Sequence, residues 1–361
     1  YAVLGIVLLI AATRFDYRRL KAIAPGFVLG SLFLCLAVLG IGTQVNGARR
    51  WISFGPAAFQ PSELAKLALA VWVSAYLCRR KAPQTLKQLG RTLGLLVGAF
   101  CALVIVEPDL GTVIAIVVMV AAILLVSGVP GRVLGSAFGI VTALGLLAIY
   151  VEPYRRARFF AFVNPWHDAQ GTGFQIVQAM IGLGSGGLFG VGLGQGVQKI
   201  FYLPEAHTDM IFATIGEELG LVGATVVIAA YGVFAWAGLR VALACKDPFG
   251  KRLAAGLTAL VCGQAVINLA AVLGLAPLTG IPLPFVSYGG SSLVVELASV
   301  GILLNIAGGD AKSKRAQVPD RSRRNGRPRP AVARGGGRPA RAGSGGDLRR
   351  VAGSRRSSAR S

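Results

Sequence analysis

Two carboxylates and a histidine lie together at the end of the one long polar loop in this chain, in the segment PEAHTD at residues 204–209. An apolar run begins at Ile211, so Asp209 lies where a water-facing loop meets a hydrophobic segment. Ionisable groups at a membrane boundary are costly and are usually retained for chemistry or transport. Asp209 could therefore act as a general base on the headgroup of a lipid. Capping of the following helix explains Asp209 equally well, and His207 could contact a phosphate or fill a structural role.

A second set of charged residues lies in QPSELAK at residues 60–66. Glu63 and Lys66 are three residues apart, so they share one face of the helix that Pro61 can start. Arg50 lies upstream in NGARRW and adds positive charge on the same side. These side chains could line a polar cavity that binds an anionic substrate. The alternative is a self-contained ion pair between Glu63 and Lys66 that only stabilises packing.

Two shorter motifs complete the candidate site. Glu107 begins EPDLG, where two carboxylates at a tight turn could hold a divalent cation, Mg²⁺ or Mn²⁺, together with a diphosphate; a solvated turn fits equally well. Ser287 lies in PFVSYGGSS, whose glycines could expose backbone amides to an anion near a helix start or mark a structural break. With two histidines and five cysteines that form no CxxC pair, the sequence indicates no protein-held metal and no obligatory cofactor.

Composition predicts an integral membrane protein. Of the 361 residues, 54% are hydrophobic and 14% are charged, whereas a soluble domain has about 25% charged residues. The formal net charge is +22, and most of it lies in the tail at residues 310–361. That tail is also rich in Gly, Pro, Ser and Ala, so we expect it to be disordered. Its basic residues favour attraction to anionic cytoplasmic lipids. Nucleic acid is the alternative partner, but it is not expected because no aromatic residue interleaves the basic ones.

The predicted fold class is an all-α polytopic membrane protein with nine spans, each of about 20 apolar residues. Loops 14–21, 79–91 and 246–252 concentrate Lys and Arg, which predicts that they and the tail are cytoplasmic. The opposite, outer side receives 43–60, 107–109, the long extracellular loop 152–208, and 274–290. The predicted spans are 1–13, 25–43, 61–78, 92–107, 111–127, 132–151, 211–239, 252–274 and 291–308.

The outer side carries basic residues that break this charge pattern, which indicates an anionic substrate. Within the long loop, residues 171–196 predict a short amphipathic helix followed by close-packed or mobile glycine turns, of which we favour a flexible gate above a cavity. The basic residues on this side are Arg49, Arg50, Arg155, Arg156, Arg158 and Lys199.

Taken together, these motifs resemble the SEDS family (shape, elongation, division and sporulation). The matching stretches are NGARRWISFGP with QPSELAK, EPDLGT, LPEAHTDMIFATIGEELG and PLTGIPLPFVSYGGSS. They are spread over residues 14–308, the whole membrane part, and their combination is highly specific. PEAHTD followed by GEELG looks more like the division members than the elongation members. The sequence departs from the family at Ala58, where some division members have arginine, and at Met210, where phenylalanine is more usual.

The resemblance implies a ten-span fold of which the first span is missing here. It implies an enzyme that polymerises lipid II, an undecaprenyl diphosphate-linked disaccharide-pentapeptide, into the glycan strands of peptidoglycan. Asp209 matches the base of the family, and Glu63 with Lys66 matches its cavity pair. We further expect Arg50, Glu107, His207 and Ser287 to contact the substrate.

The transfer would invert the anomeric carbon, with Lys66, Arg50 or a divalent cation neutralising the departing diphosphate. The resemblance also implies partners: a class B penicillin-binding protein as transpeptidase and other divisome membrane proteins. The expected location is the cytoplasmic membrane at the division septum. Two alternatives stay open, an elongation-type polymerase and a carrier that flips lipid II across the membrane. A scaffold that activates a partner is compatible with the enzyme.

Overall fold

The computed structural model describes residues 1–45, 48–55 and 57–316. Helices dominate, because a chain this apolar must satisfy its backbone polar groups without water, and a helix does so within one segment. In chain order the helices are α1 (Ala2–Arg14), α2 (Leu20–Ile41), α3 (Pro61–Arg79), α4 (Leu86–Leu89), α5 (Leu95–Val106), α6 (Leu110–Val126), α7 (Gly131–Val151), α8 (Pro153–Val163), α9 (Phe174–Ser185), α10 (Ile211–Ala244), α11 (Pro248–Val272) and α12 (Gly290–Ala316).

Each of the nine predicted spans coincides with helix in the described part of the chain, and the all-α polytopic fold class is confirmed. The fourth span joins α4 and α5 through a π-helical turn at Gly90–Gly94. Among the described residues, six helical segments are long and apolar enough to cross a membrane. The six are Tyr17–Ile41, Leu86–Val106, Gly131–Val151, Ile211–Ala244, Pro248–Val272 and Gly290–Gly309.

The centre of the bundle is formed by α3 and α11, most of whose residues are buried. Small residues permit close helix approach, which matters because lipid provides no hydrophobic drive for helices to associate. A Cβ added at Gly256 of α11 would lie 2.7 Å from the Ile123 side chain of α6. By contrast, α7 exposes large side chains such as Phe138 and Leu144. The position of α7 is therefore peripheral, with an apolar surface suited to lipid.

A small antiparallel sheet forms in the first outer loop, which the sequence predicts only as a loop. It contains β1 (Thr43–Val45), β2 (Ala48–Phe54) and β3 (Ala57–Phe59), in the order β1-β2-β3. Gln44 is paired with Arg49, and Ile52 with Phe59. The sheet matters for the site because β2 carries Arg50 and β3 leads directly into α3.

The glycine-rich segment at residues 186–192 packs against a break in α10 and forms backbone hydrogen bonds with the residues around it. Gly220 has a φ of +67°, in the left-handed region that glycine adopts without strain. A break in a helix leaves backbone groups on either side without helical partners. The amide of Val191 donates to the carbonyl of Glu217 at 3.0 Å, and the amide of Leu221 donates back to the segment at 2.9 Å.

The prediction of a flexible gate at residues 171–196 therefore needs correction. The short helix is confirmed as α9, but the glycine turns that follow are docked on α10 by backbone hydrogen bonds. They are glycine because the two backbones approach closely: a Cβ at Gly190, where φ is +81°, would overlap the Glu218 carbonyl oxygen. Lys199 and Glu218 add an ion pair of 2.5 Å across the same contact.

At the C-terminal end, α12 continues to Ala316, beyond the predicted end of the last span at 308. The predicted basic tail begins at 310, so its first seven residues lie in this helix. The rest of the tail lies outside the described residues.

Candidate active site

The acidic loop at residues 204–209 is fixed to the connection between α11 and α12. The Ser287 hydroxyl donates to the carbonyl of Thr208, and the Tyr288 amide donates to the carbonyl of His207 at 2.9 Å. These bonds join two segments that are about eighty residues apart in sequence. They set the backbone of the loop directly before Asp209.

Asn268 of α11 also binds the backbone of the acidic loop. Its side-chain amide donates to the carbonyl of Asp209 at 2.7 Å and to the carbonyl of Ile281 at 2.8 Å. The buried side-chain amide of Asn268 thus joins the backbone of the acidic loop to the α11–α12 connection. The sequence analysis missed Asn268, and the only signal was a polar residue within an apolar span, which is a costly placement.

The Asp209 carboxylate is available for chemistry. Helix α10 has no side-chain N-cap, so Asp209 does not cap it. The side chain is half-buried and accepts a long hydrogen bond of 3.4 Å from the Thr208 hydroxyl. Burial raises the pKa of Asp209 to about 6; the nearby charge of Arg158 opposes this and that of Glu205 adds to it. A carboxylate with this pKa is ionised at neutral pH yet is a stronger base than an ordinary aspartate.

Arg158 of α8 is the cation that acts on Asp209, and the sequence analysis did not select it. Its guanidinium donates to the carbonyl of Leu278 at 3.3 Å and stacks on the ring of Tyr154 at 4.8 Å. Leu278 is two residues from Gly280, where an added Cβ would lie 3.9 Å from the Asp209 carboxylate. The signal in the sequence was an arginine on the predicted outer side, where the enrichment of Lys and Arg in cytoplasmic loops makes basic residues uncommon.

Glu63 and Lys66 form a buried ion pair of 2.7 Å, with side-chain exposures of 4% and 1%. A third charged residue, Glu296 of α12, is buried nearby and interacts electrostatically with both Glu63 and Lys66. One cation therefore faces two carboxylates, and the second oxygen of Glu63 has no hydrogen-bond partner in the described part of the chain. This is the geometry of a packed polar network, and the Lys66 ammonium is already engaged.

Glu296 also connects this network to the acidic loop. Its carboxylate accepts from the Ser292 hydroxyl at 2.8 Å and from the amide of Phe285 at 3.0 Å. Phe285 has a φ of +64°, which is strained for a residue with a side chain. Because Ser287 follows two residues later, Glu296 holds the turn that in turn holds the backbone before Asp209. The sequence analysis missed Glu296, which stood in an apolar span as a lone carboxylate.

The network lies toward the end of the bundle that the charge pattern predicts to be outer. Arg252 of α11 donates to the sulfur of Cys78 in α3 at 3.1 Å, so these two residues mark one level near the predicted cytoplasmic end. Lys66 is about 18 Å from Cys78 along α3, and Asn268 about 24 Å from Arg252 along α11, at about 1.5 Å per residue. A bilayer core is about 30 Å thick, so both groups lie more than half of that thickness away from the Arg252–Cys78 level.

The EPD turn differs from the solvated hairpin considered above. Glu107 is 1% exposed and Asp109 is 6% exposed. Asp109 caps α6 by accepting from the Thr112 amide at 3.0 Å. Burial raises the pKa of Glu107 to about 8, with Asp109 adding to the rise and Arg50 opposing it. Arg50 is itself bound to the turn, donating to the carbonyls of Glu107 and Pro108 at 2.5 and 2.6 Å.

Within the described residues, no group of three or more His, Cys, Asp or Glu side chains is arranged to hold a metal ion. In the EPD turn, Asp109 caps α6, whereas both carboxylate oxygens of Glu107 are buried without a hydrogen-bond partner in the described part of the chain.

Comparison with known proteins decides the family. Residues 1–312 match the protein family described as cell cycle protein, of FtsW, RodA and SpoVE. The chain belongs to the SEDS family. This SEDS protein is similar to the probable peptidoglycan glycosyltransferase FtsW of Geobacter metallireducens. The two are 42% identical over 311 residues, which cover 85% of this chain and 83% of the relative. Stage V sporulation protein E of Bacillus subtilis is 38% identical over 313 residues, covering 85% of each chain.

Solved structures support the same family and the helical architecture. A chain from a peptidoglycan synthase complex, described as coordinating polymerization and crosslinking, superposes on this SEDS protein with a TM-score of 0.72 and 30% identity, covering 85% of this chain and 87% of the other. The rod shape determining protein RodA of Thermus thermophilus gives a TM-score of 0.62 at 30% identity, covering 86% and 85%.

The structure of this SEDS protein brings together only part of the predicted site. Asp209, His207 and Ser287 meet at the predicted outer end, where His207 is exposed and its ring packs edge-on against Tyr288 at 6.0 Å. Ser287 is buried, and its oxygen both donates to Thr208 and accepts from the Leu283 amide at 2.7 Å. Ser287 thus positions the loop, and a direct contact with substrate stays a prediction.

Four other predicted contacts are buried in the protein or bound to its backbone. Glu63, Lys66 and Glu107 are buried, and the guanidinium of Arg50 binds backbone carbonyls. Their roles as substrate contacts stay predictions.

Proposed function

We propose that this chain is a peptidoglycan glycosyltransferase that polymerises lipid II into glycan strands at the outer face of the cytoplasmic membrane. The observation that carries the proposal is the state of the Asp209 carboxylate. It does not cap α10, it is half-buried, and its pKa is raised to about 6, at the predicted outer end of the bundle. A transferase needs such a base beside its acceptor. The family membership and the names of the relatives support the same reaction.

In the reaction, the acceptor is a sugar hydroxyl of one lipid-linked saccharide, and the donor is the anomeric carbon of the growing strand. Asp209 takes the hydroxyl proton as the oxygen attacks that carbon. The bond between the anomeric carbon and the diphosphate breaks, and its electron pair leaves with the lipid diphosphate. A single displacement of this kind inverts an α-linked donor to a β-linked product. Positioned general bases contribute about 10²–10⁴-fold to such rates.

The positioned loop serves this step. Asn268, Ser287 and Glu296 hold the backbone around Asp209 through partly buried hydrogen bonds, so the loop that carries the carboxylate is positioned before substrate arrives. Orientation of this kind lowers the entropic cost of reaching the transition state. A divalent cation, Mg²⁺ or Mn²⁺, would come with the substrate diphosphate and would neutralise part of its charge.

The cellular setting is part of the proposal. Relatives named FtsW favour synthesis at the division septum over the sidewall. The Lys and Arg pattern favours a cytoplasmic tail. The similar chain from a synthase complex that coordinates polymerization with crosslinking favours a class B penicillin-binding protein as partner, alongside other divisome membrane proteins. Localisation of a fluorescent fusion to the septum or to the sidewall tests the division role directly.

The catalytic assignment is tested with the purified full chain, fluorescent lipid II and the variants Asp209→Asn and Asp209→Ala. Both should fold normally and lose polymerisation by about 10²–10⁴-fold, the usual contribution of a general base. Glu152→Gln is the matched control, because it removes an exposed acid from the same side and should leave activity unchanged. Full-length polymer from Asp209→Asn would rule out the assigned base. Lipid II movement across vesicles without any polymer from the wild type would favour the carrier instead.

A further inference from the structure

The departing diphosphate needs a cation, and the two basic residues expected for that role are occupied. Lys66 is 1% exposed and paired with Glu63 at 2.7 Å. Arg50 donates to two backbone carbonyls of the EPD turn at 2.5 and 2.6 Å. Drawing either of them to a substrate would break a buried pair or free a buried turn, and both losses are costly.

Arg158 is in a different situation. It is half-buried, and its one hydrogen bond to the protein in the described residues is the long one to the carbonyl of Leu278 at 3.3 Å. A guanidinium has five N–H donors in a planar fork, so most of them are free. Stacking on Tyr154 at 4.8 Å fixes the plane of the fork. The group is therefore held in place and still has donors to offer.

A pocket of about 270 Å³ opens beside this guanidinium. It lies where α8, the start of α9 and the acidic loop meet. The Gln175 side-chain amide ties one wall to the acidic loop by donating to the carbonyl of Pro204 at 3.4 Å. The residues that bear on binding are Tyr154, Arg158, Thr172, Phe174, Gln175 and Pro204.

The position of the pocket matches the geometry of an inverting transfer. Arg158 is tied to Leu278, two residues from Gly280, which faces the Asp209 carboxylate. In a single displacement the base and the leaving group lie on opposite sides of the anomeric carbon. The cation that binds the leaving group must therefore lie near the base without being paired to it. Arg158 meets this requirement, because no ion pair between Arg158 and Asp209 is present among the described residues.

The chemistry of the pocket fits a diphosphate that carries a lipid. Arginine binds phosphate through two parallel hydrogen bonds, a geometry that lysine does not match. The Phe174 side chain lines the same pocket, so an apolar group next to the phosphates would be covered rather than exposed. A free diphosphate would gain nothing from that wall.

We propose that the Arg158 pocket binds the diphosphate of the polyprenyl-linked saccharide and receives it as the leaving group. The electron pair of the breaking anomeric carbon–oxygen bond goes to a diphosphate oxygen, whose added charge the guanidinium neutralises. The proton lost by the acceptor hydroxyl goes to Asp209, so charge and atoms balance. This assignment rests on the proposed glycosyl transfer and names the subsite within it.

The test measures binding of polyprenyl diphosphate and polyprenyl monophosphate to the purified full chain, with the variants Arg158→Gln and Arg158→Lys. Loss of one charge-assisted phosphate contact lowers affinity by about 10- to 100-fold, so Arg158→Gln should weaken the diphosphate by that factor and leave the monophosphate within about threefold. Arg158→Lys should fall between, because a point charge replaces a fork. Arg156→Gln is the matched control, since Arg156 is exposed on the same helix.

Unchanged preference for the diphosphate in Arg158→Gln, with normal thermal unfolding, would overturn the proposal. Displacement of the lipid by an equal concentration of inorganic diphosphate would overturn the lipid-linked assignment. The polymerisation assay on the wild type is read separately. Absence of polymer with an Arg158-dependent diphosphate preference would remove the glycosyltransferase proposal and keep the binding site.

Discussion

Polymerisation by this protein should depend on pH with a midpoint set by Asp209. Burial raises the pKa of Asp209 from 3.8 to about 6. A general base works only in its ionised form, so the rate at low substrate follows the ionised fraction. With a pKa of about 6, that fraction is about one-tenth at about pH 5 and about nine-tenths at about pH 7. The rate should therefore rise about tenfold across that interval.

The assay measures initial rates of strand formation from fluorescent lipid II, at substrate concentrations well below KM, from about pH 4.5 to about pH 8. Thermal unfolding at each pH identifies any loss of rate caused by unfolding. The raised pKa has its own consequence for stability. The folded protein binds the Asp209 proton more tightly than the unfolded chain does, so this group stabilises the fold below about pH 4 and that contribution is lost as pH rises through about 6.

The two charged neighbours of Asp209 should move the midpoint in opposite directions. Arg158 lowers the pKa of Asp209 and Glu205 raises it. Arg158→Gln should therefore shift the rate profile to higher pH, and Glu205→Gln should shift it to lower pH. A rate that stays flat between about pH 5 and about pH 7 would indicate an ordinary aspartate, which is already ionised at pH 5. That result would refute the link between burial and basicity drawn here.

Three further predictions concern stability. Because the pKa of Glu107 is raised to about 8, the wild type should lose stability as pH rises from about 4.5 through about 8, and Glu107→Gln should flatten this decline in unfolding temperature; parallel curves would contradict it. Lys66→Met should cost about 3–5 kcal/mol in chemical unfolding by leaving Glu63 unpaired, and the double variant Lys66→Met/Glu63→Leu should recover part of that loss; a neutral single variant would mean the pair is hydrated. Gly190→Ala should lower the unfolding temperature, because φ is +81° and the new Cβ overlaps the Glu218 carbonyl; unchanged stability would show that the segment shifts freely.

The sequence was sufficient to predict the nine spanning helices and the family, but it left α8 inside the predicted long loop. Apolar runs of spanning length predicted nine helical segments, because the period and length of hydrophobic runs are local properties. The ends were less well predicted, and α12 extends to Ala316, eight residues beyond its predicted end at 308. Motifs around Asp209 and Lys66 were also readable, since rare charged residues stand out in an apolar chain. The same reasoning favoured a flexible gate within residues 171–196 over close-packed glycine turns, because it could not show that the broken helix at Gly220 needed hydrogen-bond partners.

What the fold adds is the set of contacts between distant segments. The charge of Arg158 acts on Asp209, and Ser287 reaches the carbonyl of Thr208, only after segments far apart in the chain have packed. Whether Lys66 faces a cavity or a carboxylate depends on which neighbours exclude water from it, and a sequence does not specify neighbours. Burial then fixes the pKa of Asp209, because the desolvation of a carboxylate is a property of the packed surroundings and not of the residue.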